Sequence, residues 1–291
     1  MKILVCCGFI VLLLGCSKST EPGTVPPFSR FPLAAGNVWS YQGEESISNF
    51  RPIVSGATFH DTTVRWAAKV EVVGEQVLRD SARTWQFHLS DDRQRAFSSD
   101  TSQPIANEDR FYLLQADTLF YYAYTGSSSA PTPKMHSNFN HMLRENVFEP
   151  FQGMLNPGAD FLVSDAAVST DPITYLLNPA KALVFPLRIG SEWNYSGVGL
   201  TSLHEGKKVV GTETITTDAG IFYTMKVQWL LDLSDTGTWD TSLVFYDYFS
   251  AQGLIKREIS RSIIISTVQY PEGIGSSDFK DTYVLKSMIL R

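Results

Sequence analysis

IFYTMKVQWLLD, residues Ile221 to Asp232, reads with a period of two. Ile221, Tyr223, Met225, Val227, Trp229 and Leu231 form an apolar set. Phe222, Thr224, Lys226, Gln228, Leu230 and Asp232 form a mostly polar one. Successive side chains of a strand point to opposite faces, so this alternation predicts a strand with one face in a core. TDAG (217–220) directly upstream supplies a turn, and KVVGTETITT (208–217) before it a partner strand.

The same signature extends through the chain. Val64, Trp66, Ala68, Val70 and Val72 alternate with Arg65, Ala67, Lys69 and Glu71, and Trp85, Phe87 and Leu89 with Thr84, Gln86 and His88. Runs at 110–125, 240–250, 254–268 and 281–290 are rich in the Tyr, Phe, Ile, Val and Thr that suit a pleated surface. SDTG (234–237), SAQG (250–253) and PEGIGSSD (271–278) punctuate them. One helix is expected, over Ser137 to Phe151: Ser137 caps it, Phe139, Met142, Leu143 and Val147 share a face, and Pro150 ends it. GSSSAPTP (126–133) leads into it as a connector. Nothing alternates βαβ, so the expected class is all-β, mainly antiparallel.

One phrase occurs twice. FPLAAGNVWSY (31–41) and FPLRIGSEWNY (185–195) share Phe, Pro, Leu, Gly, Trp and Tyr in place. Pro suits the residue before a strand, Gly36 and Gly190 permit a positive-φ turn, and Trp and Tyr two apart project to one strand face. The parallel continues: EVVGEQVLRDSARTWQF begins at Glu71 and KVVGTETITTDAGIFYTM at Lys208, with Gly74 and Gly211 each eleven residues before Trp85 and Phe222. These matches predict an internal duplication, an N-terminal β repeat over 31–180 carrying the helical insertion and a C-terminal one over 183–291. Neither half offers much core alone, so the two are expected to share one curved sheet or half-barrel.

The N-terminus, MKILVCCGFIVLLLGCSKST, places Lys2 before a 12-residue apolar run, Ile3 to Leu14. That length fits a signal peptide and falls short of the ~20 residues of a membrane-spanning helix. Leu13-Leu14-Gly15-Cys16 resembles the lipobox of bacterial lipoproteins. The resemblance implies cleavage after residue 15 and a diacylglycerol thioether on Cys16, usually with acylation of the new amino group. One buried chain holds marginally and two or more hold firmly, at ~0.8 kcal/mol per methylene. Ser17, rather than Asp, resembles the outer-membrane sorting class. Residues 16–30 comprise the lipidated Cys and a Ser-, Thr-, Pro- and Gly-rich tether, and the folded body is expected to begin near Phe31. Cys6, Cys7 and Cys16 are the only cysteines, so the mature body has no disulfide and must rely on its core.

Beyond residue 15 the chain carries 23 basic against 30 acidic side chains, which argues against nucleic acid as a partner. The basic pairs Lys207-Lys208 and Lys256-Arg257 read as solvated strand faces. Of five histidines, His60, His88, His136, His141 and His204, none has zinc-site spacing, although His141 and Glu145 share a helical face; no metal and no cofactor are expected. DLSDTGTWD (232–240) has acids at positions 1, 4 and 9 but Leu243 at position 12, so it reads as a hairpin turn rather than a calcium loop. No G-x-S-x-G elbow, phosphate loop or dinucleotide fingerprint occurs. Acids such as Asp91-Asp92, Asp160, Asp165 and Asp171 leave a glycosidase-like pair open. Tyr121, Tyr122, Tyr124, Phe245, Tyr246, Tyr248 and Phe249 put rings on both strand faces. Either one face is an exposed strip for sugar or lipid, or the sheet curves and buries both.

Taken with VVGTETITTDAGIF and FYDYFSAQGLIKRE, the repeated phrase resembles a group of uncharacterised bacterial lipoproteins and exported proteins. The shared phrases fall at 185–195, 219–222 and 253–256, the opening also at 31–41, while 126–175 departs from them. The resemblance implies no catalytic residue. The expected function is a non-catalytic, lipid-anchored envelope protein, on the periplasmic or surface side of the outer membrane. It would bind or scaffold an envelope protein, lipid or glycan, with a lipid or small apolar ligand in the curve of the sheet. The alternatives are an envelope hydrolase acting on glycans through paired carboxylates, and a passive spacer with protein partners only.

Overall fold

The structure, a computed structural model, describes residues 28–93, 106–125, 173–195, 204–232, 237–241, 243–265, 270 and 273–291. The expected helix over Ser137 to Phe151 lies outside them. The described residues form twelve strands: β1 (Val38–Pro52), β2 (Thr62–Val77), β3 (Arg83–Asp91), β4 (Ala106–Gln115), β5 (Thr118–Thr125), β6 (Thr174–Val184), β7 (Glu192–Asn194), β8 (His204–Thr217), β9 (Gly220–Asp232), β10 (Val244–Ser250), β11 (Gly253–Ile265) and β12 (Gly275–Ile289). All belong to one antiparallel sheet in the order β6-β5-β4-β3-β2-β1-β12-β11-β10-β9-β8-β7. The class is therefore all-β, an open, strongly curved sheet. A single 3-10 turn, Arg79–Ser81, links β2 to β3.

β1 to β6 and β7 to β12 follow one another in the same order around the sheet. β1 and β12 zip together from Val38↔Ile289 to Pro52↔Gly275. The free ends of the sheet, β6 and β7, meet by single bonds: the Lys181 amide donates to Tyr195 O at 2.9 Å, and Trp193 Nε1 donates to Lys181 O at 2.9 Å. Because the strands form a meander, their connections fall at two ends. The tight β2–β3, β4–β5, β8–β9 and β10–β11 turns, the β6–β7 connection and both chain termini of the described body lie at one end, the hairpin end. The longer connections lie at the other.

The repeated phrase takes the same local geometry twice. Gly36 (φ +83°) donates its amide to Val72 O at 2.7 Å, and Gly190 (φ +88°) donates to Val209 O at 2.8 Å. In return Val72 N donates to Asn37 O at 2.8 Å and Val209 N to Ser191 O at 2.9 Å. Each Val-Val-Gly then carries a bulge, between Val72 and Gly74 and between Val209 and Gly211. Trp39, Tyr41, Trp193 and Tyr195 are all buried, as the two-residue spacing predicts. Trp39 Nε1 donates to Gln252 O at 2.6 Å and the Tyr41 hydroxyl to Leu254 O at 3.0 Å, so β1 reaches across the concave side to the β10–β11 turn.

Three expectations need correction. Phe28, placed in the tether, belongs to the body: it is buried, pairs with Leu187 and meets the Phe185 ring edge-on at 5.5 Å. An aromatic ring beside an apolar strand end gains more from burial than a polar tether loses by being ordered there. The apolar phase of β9 does not run its whole length: Ile221 and Tyr223 are exposed while Phe222 and Thr224 are buried. β10 covers only Met225 to Gln228, and the bulge in β8 turns the hairpin tip, so the burying side changes near the tip. Finally, Lys207-Lys208 and Lys256-Arg257 are not both-solvated pairs. Successive residues face opposite ways, so Lys207 and Arg257 point into the concave side while Lys208 and Lys256 pair outside with Glu192 and Glu258.

Candidate functional site

The concave side is where strand alternation puts apolar residues, and at several positions it holds charges instead. On β10, Asp247 falls in phase with Phe245; on β11, Arg257 with Ile259; on β12, Asp281 with Phe279; on β1, Glu45 with Ile47. On β8 it is Lys207 with Val209, and on β4, Arg110. An isolated buried charge costs several kcal/mol, so each must find a partner on this side.

They do so in linked groups. Arg257 donates from Nε to Asp247 Oδ1 at 2.6 Å and from Nη2 to Oδ2 at 3.0 Å, a bidentate pair, and Trp229 Nε1 adds a bond to Asp247 Oδ2 at 2.8 Å. Burial works against the Asp247 carboxylate, but Arg257 outweighs it and holds its pKa below the ordinary value. Trp229 stacks on Phe245, centroids 4.7 Å apart and 9° between planes.

Lys207 is 3% exposed. Its ammonium stands 3.8 Å from the Trp229 ring centre and 4.6 Å from that of Tyr195, and donates to Ala182 O on β6 at 3.0 Å. Burial pushes its pKa down to about 7, opposed by Asp247 and Glu205 and aided by Arg257. Glu205, two residues away on the same face, is pushed up to about 7 by burial, opposed by Lys207. Protonation of this corner therefore changes near neutral pH.

At the other side of the curve Arg93, just past β3, reaches Glu45 and, at 3.5 Å, Asp281 Oδ2, with its guanidinium 4.5 Å over the Trp66 ring. Glu45 and Asp281 are cross-strand partners, and burial raises both pKa values despite Arg93. Asp281 Oδ1 and the Tyr121 hydroxyl are buried without a hydrogen-bond partner among the described residues. Arg110 Nε donates to Glu108 Oε1 at 2.7 Å and Nη2 to Oε2 at 3.0 Å, and the guanidinium lies 6.0 Å from the Tyr121 ring centre. Among the described residues no group of three or more His, Cys, Asp and Glu is placed to hold a metal ion.

Cys16, His136, His141, Glu145, Asp160, Asp165 and Asp171 lie outside the described residues, as does the His204 side chain. His60 is exposed, and His88 meets Asp109 at 2.8 Å. Asp91 accepts from Arg93 N at 3.1 Å, and Asp92 from Ala67 N at 2.6 Å; neither faces the other across a cleft. Tyr121, Tyr124, Phe245, Tyr248 and Phe249 are buried and Tyr122 and Tyr246 half-buried, so the curved sheet covers both aromatic faces. Sequence reading passed over Glu45, Arg93, Arg110, Glu205, Asp247 and Asp281, and took Lys207 and Arg257 for solvated residues. Their signal was a charge in phase with apolar residues two positions away, as in Phe245-x-Asp247-x-Phe249 and Phe279-x-Asp281-x-Tyr283.

No protein-family model matches the chain, and no curated protein matches it. Two solved structures are similar over most of its length. One is an inferred lipoprotein of Parabacteroides distasonis ATCC 8503, 14% identical, with 90% of this chain and 98% of that one covered at a TM-score of 0.35. The other is an inferred exported protein with a YmcC-like fold from Bacteroides fragilis NCTC 9343, 11% identical, with 90% and 99% covered at a TM-score of 0.33. Similarity at this level carries no argument about what this chain does.

Proposed function

We propose that this chain is a cell-envelope protein, lipid-anchored through Cys16 to the outer membrane, that binds or scaffolds an envelope component and does not turn it over. The observation that carries the non-catalytic reading is that four interior acids are tied to guanidinium groups: Asp247 is held bidentately by Arg257, Glu108 by Arg110, and Glu45 and Asp281 by Arg93. A carboxylate spent on a fixed guanidinium supports the sheet and is not available to relay protons to a substrate. The two sequence halves, 31–180 and 183–291, are proposed as copies of one unit, each supplying six of the strands. A purely apolar ligand suits this concave side poorly, because Arg93, Arg110, Lys207 and Arg257 face into it; a polar envelope component such as a glycan suits it better.

A second reading rests on Glu45 and Asp281, cross-strand carboxyls whose pKa values burial raises, because a raised pKa suits the acid partner of a glycan hydrolase. One assay separates the two. The purified chain is incubated with polymeric envelope glycan and new reducing ends are counted, beside Glu45→Gln with its fold checked by circular dichroism. The binding reading expects no release above buffer from either protein. Release by the wild type that Glu45→Gln abolishes would install the hydrolase instead. For the anchor, mass spectrometry of the membrane fraction is expected to show a diacylated N-terminal Cys16 peptide, and Cys16→Ser to move the protein out of that fraction. An unmodified Cys16 would remove the anchor.

A further inference from the structure

The described body takes its N-terminal segment in at the hairpin end: Leu187 N donates to Phe28 O at 2.9 Å, and Phe28 packs on Phe185 beside the β6–β7 connection. Phe28 is twelve residues after Cys16. Twelve residues span at most about 40 Å even when fully extended. If Cys16 is acylated, the hairpin end is the part of the body that the anchor holds within about 40 Å of the bilayer.

That end exposes a large apolar side chain at nearly every turn. Ile221 beside the β8–β9 turn is 74% exposed, Val77 at the β2–β3 turn 68%, Ile189 in the β6–β7 connection 64% and Ile289 at the end of β12 60%, with Leu114 and Leu290 also exposed. They stand on separate turns around the rim, so they do not cover one another, and folding leaves them in water. A protein pocket would gather one or two of them; a bilayer interface is broad enough to take all of them at once. Ile53, Trp239, Val244, Ile264 and Tyr270 are exposed toward the far end as well, less so on average, and the N-terminal segment does not lead there.

We infer that the hairpin end is a bilayer-docking surface, with Val77, Ile189, Ile221 and Ile289 entering the lipid interface. The inference rests on the acylation of Cys16 proposed above. The β8–β9 hairpin makes the first contact. It runs six residues from Gly211 to Thr217, against three from Gly74 to Val77, and so projects about 10 Å further from the paired bulges. Around the rim exposed Arg30, Arg79, Arg83, Arg188 and Arg291 are interspersed with Glu75, Asp80, Asp117 and Asp218, so the two signs nearly balance and attraction to anionic headgroups is not the driving term. Docking in this orientation turns the opposite ends of the strands away from the membrane.

The test uses the full chain purified with its anchor and reconstituted in vesicles of phosphatidylethanolamine and phosphatidylglycerol whose acyl chains carry nitroxide. Cysteines introduced singly by Val77→Cys, Ile221→Cys, Ile53→Cys and Trp239→Cys are labelled with a fluorophore; a thioether-blocked Cys16 does not react. The expected result is severalfold stronger quenching at positions 77 and 221 than at 53 and 239, unchanged when salt is raised. Ile189→Asp with Ile221→Asp is expected to weaken the quenching at position 77. Equal quenching at both ends, or stronger quenching at the far end, in protein that floats with the vesicles would overturn the docking alone. Protein that does not float would overturn the anchor and the docking with it.

Discussion

Lys207 holds its ammonium between two aromatic rings and one backbone carbonyl, with Asp247, Arg257 and Glu205 as the charged groups facing it. Its pKa falls from 10.5 to about 7, so between those values the unfolded chain binds a proton that the folded chain does not. Stability from this group therefore rises with pH across that window. Glu205 works in the opposite sense. With its pKa raised from 4.5 to about 7, it lends stability below pH 4.5 that is lost as pH climbs to about 7. Together they predict a dip in the denaturation midpoint near neutral pH. Lys207→Met should flatten the alkaline side of that dip, and an unchanged alkaline rise in the variant would assign it to another group. Asp247 supplies a simpler prediction. Asp247→Asn leaves the Arg257 guanidinium buried without its carboxylate, and breaking such a pair costs about 3–5 kcal/mol. Urea melts should show that loss; a change below about 1 kcal/mol would mean that water reaches Arg257.

At the scale of strands, two glycines that look alike in sequence carry different duties. Gly43 lies on β1 under the Trp66 indole, which a Cβ there would overlap, and the same indole carries the Arg93 guanidinium. Gly43→Ala must displace Trp66 and should cost about 1–3 kcal/mol as an overpacked site. A Cβ at Gly211 on β8 meets nothing within 4 Å, so Gly211→Ala should stay within about 0.5 kcal/mol of wild type. Equal melts for the two would show that Trp66 moves aside freely. The strands themselves were legible in the sequence, because a period of two with Gly-bearing turns between runs is a local property. The turn before β1 and β7 was legible too, since Pro, Gly and the Trp-x-Tyr spacing each fix one feature of it. The interior charges were not. Alternation tells which residues share a face but not that charges on the buried face find partners across the sheet, as Arg93 does three strands away on β12. Ile221 was misplaced for a related reason: its face depends on how far β10 extends beside β9, which β9 alone does not encode.

Twelve strands in one sheet bury a common core, yet the two joints of that sheet differ in strength. β1 and β12 are joined by a ladder of thirteen residue pairs. At the opposite joint the hydrogen bonds between β6 and β7–β8 among the described residues are the Lys181 amide to Tyr195 O, Trp193 Nε1 to Lys181 O and Lys207 Nζ to Ala182 O. If the halves are copies, the two joints arise from the same pair of surfaces, and only one has formed a ladder. A sheet opens first where the fewest backbone bonds must break, so β6 and β7 should part well below the free energy of global unfolding. Lys207 couples this seam to pH, because opening returns its amine to water, where it keeps a proton up to about pH 10.5 instead of about 7, so above pH 7 closure strengthens as pH rises. Native-state hydrogen exchange reads this directly. The Lys181 amide should exchange at least about tenfold faster than the hydrogen-bonded amides of the β1–β12 ladder. The gap should narrow from pH 7 to pH 9 after correction for intrinsic rates, an interval in which only the opened seam keeps the Lys207 proton. Lys207→Met should remove that pH dependence and leave the ladder amides unchanged. Equal protection at the two joints would mean that the sheet is a closed ring, its interior reached only from the ends.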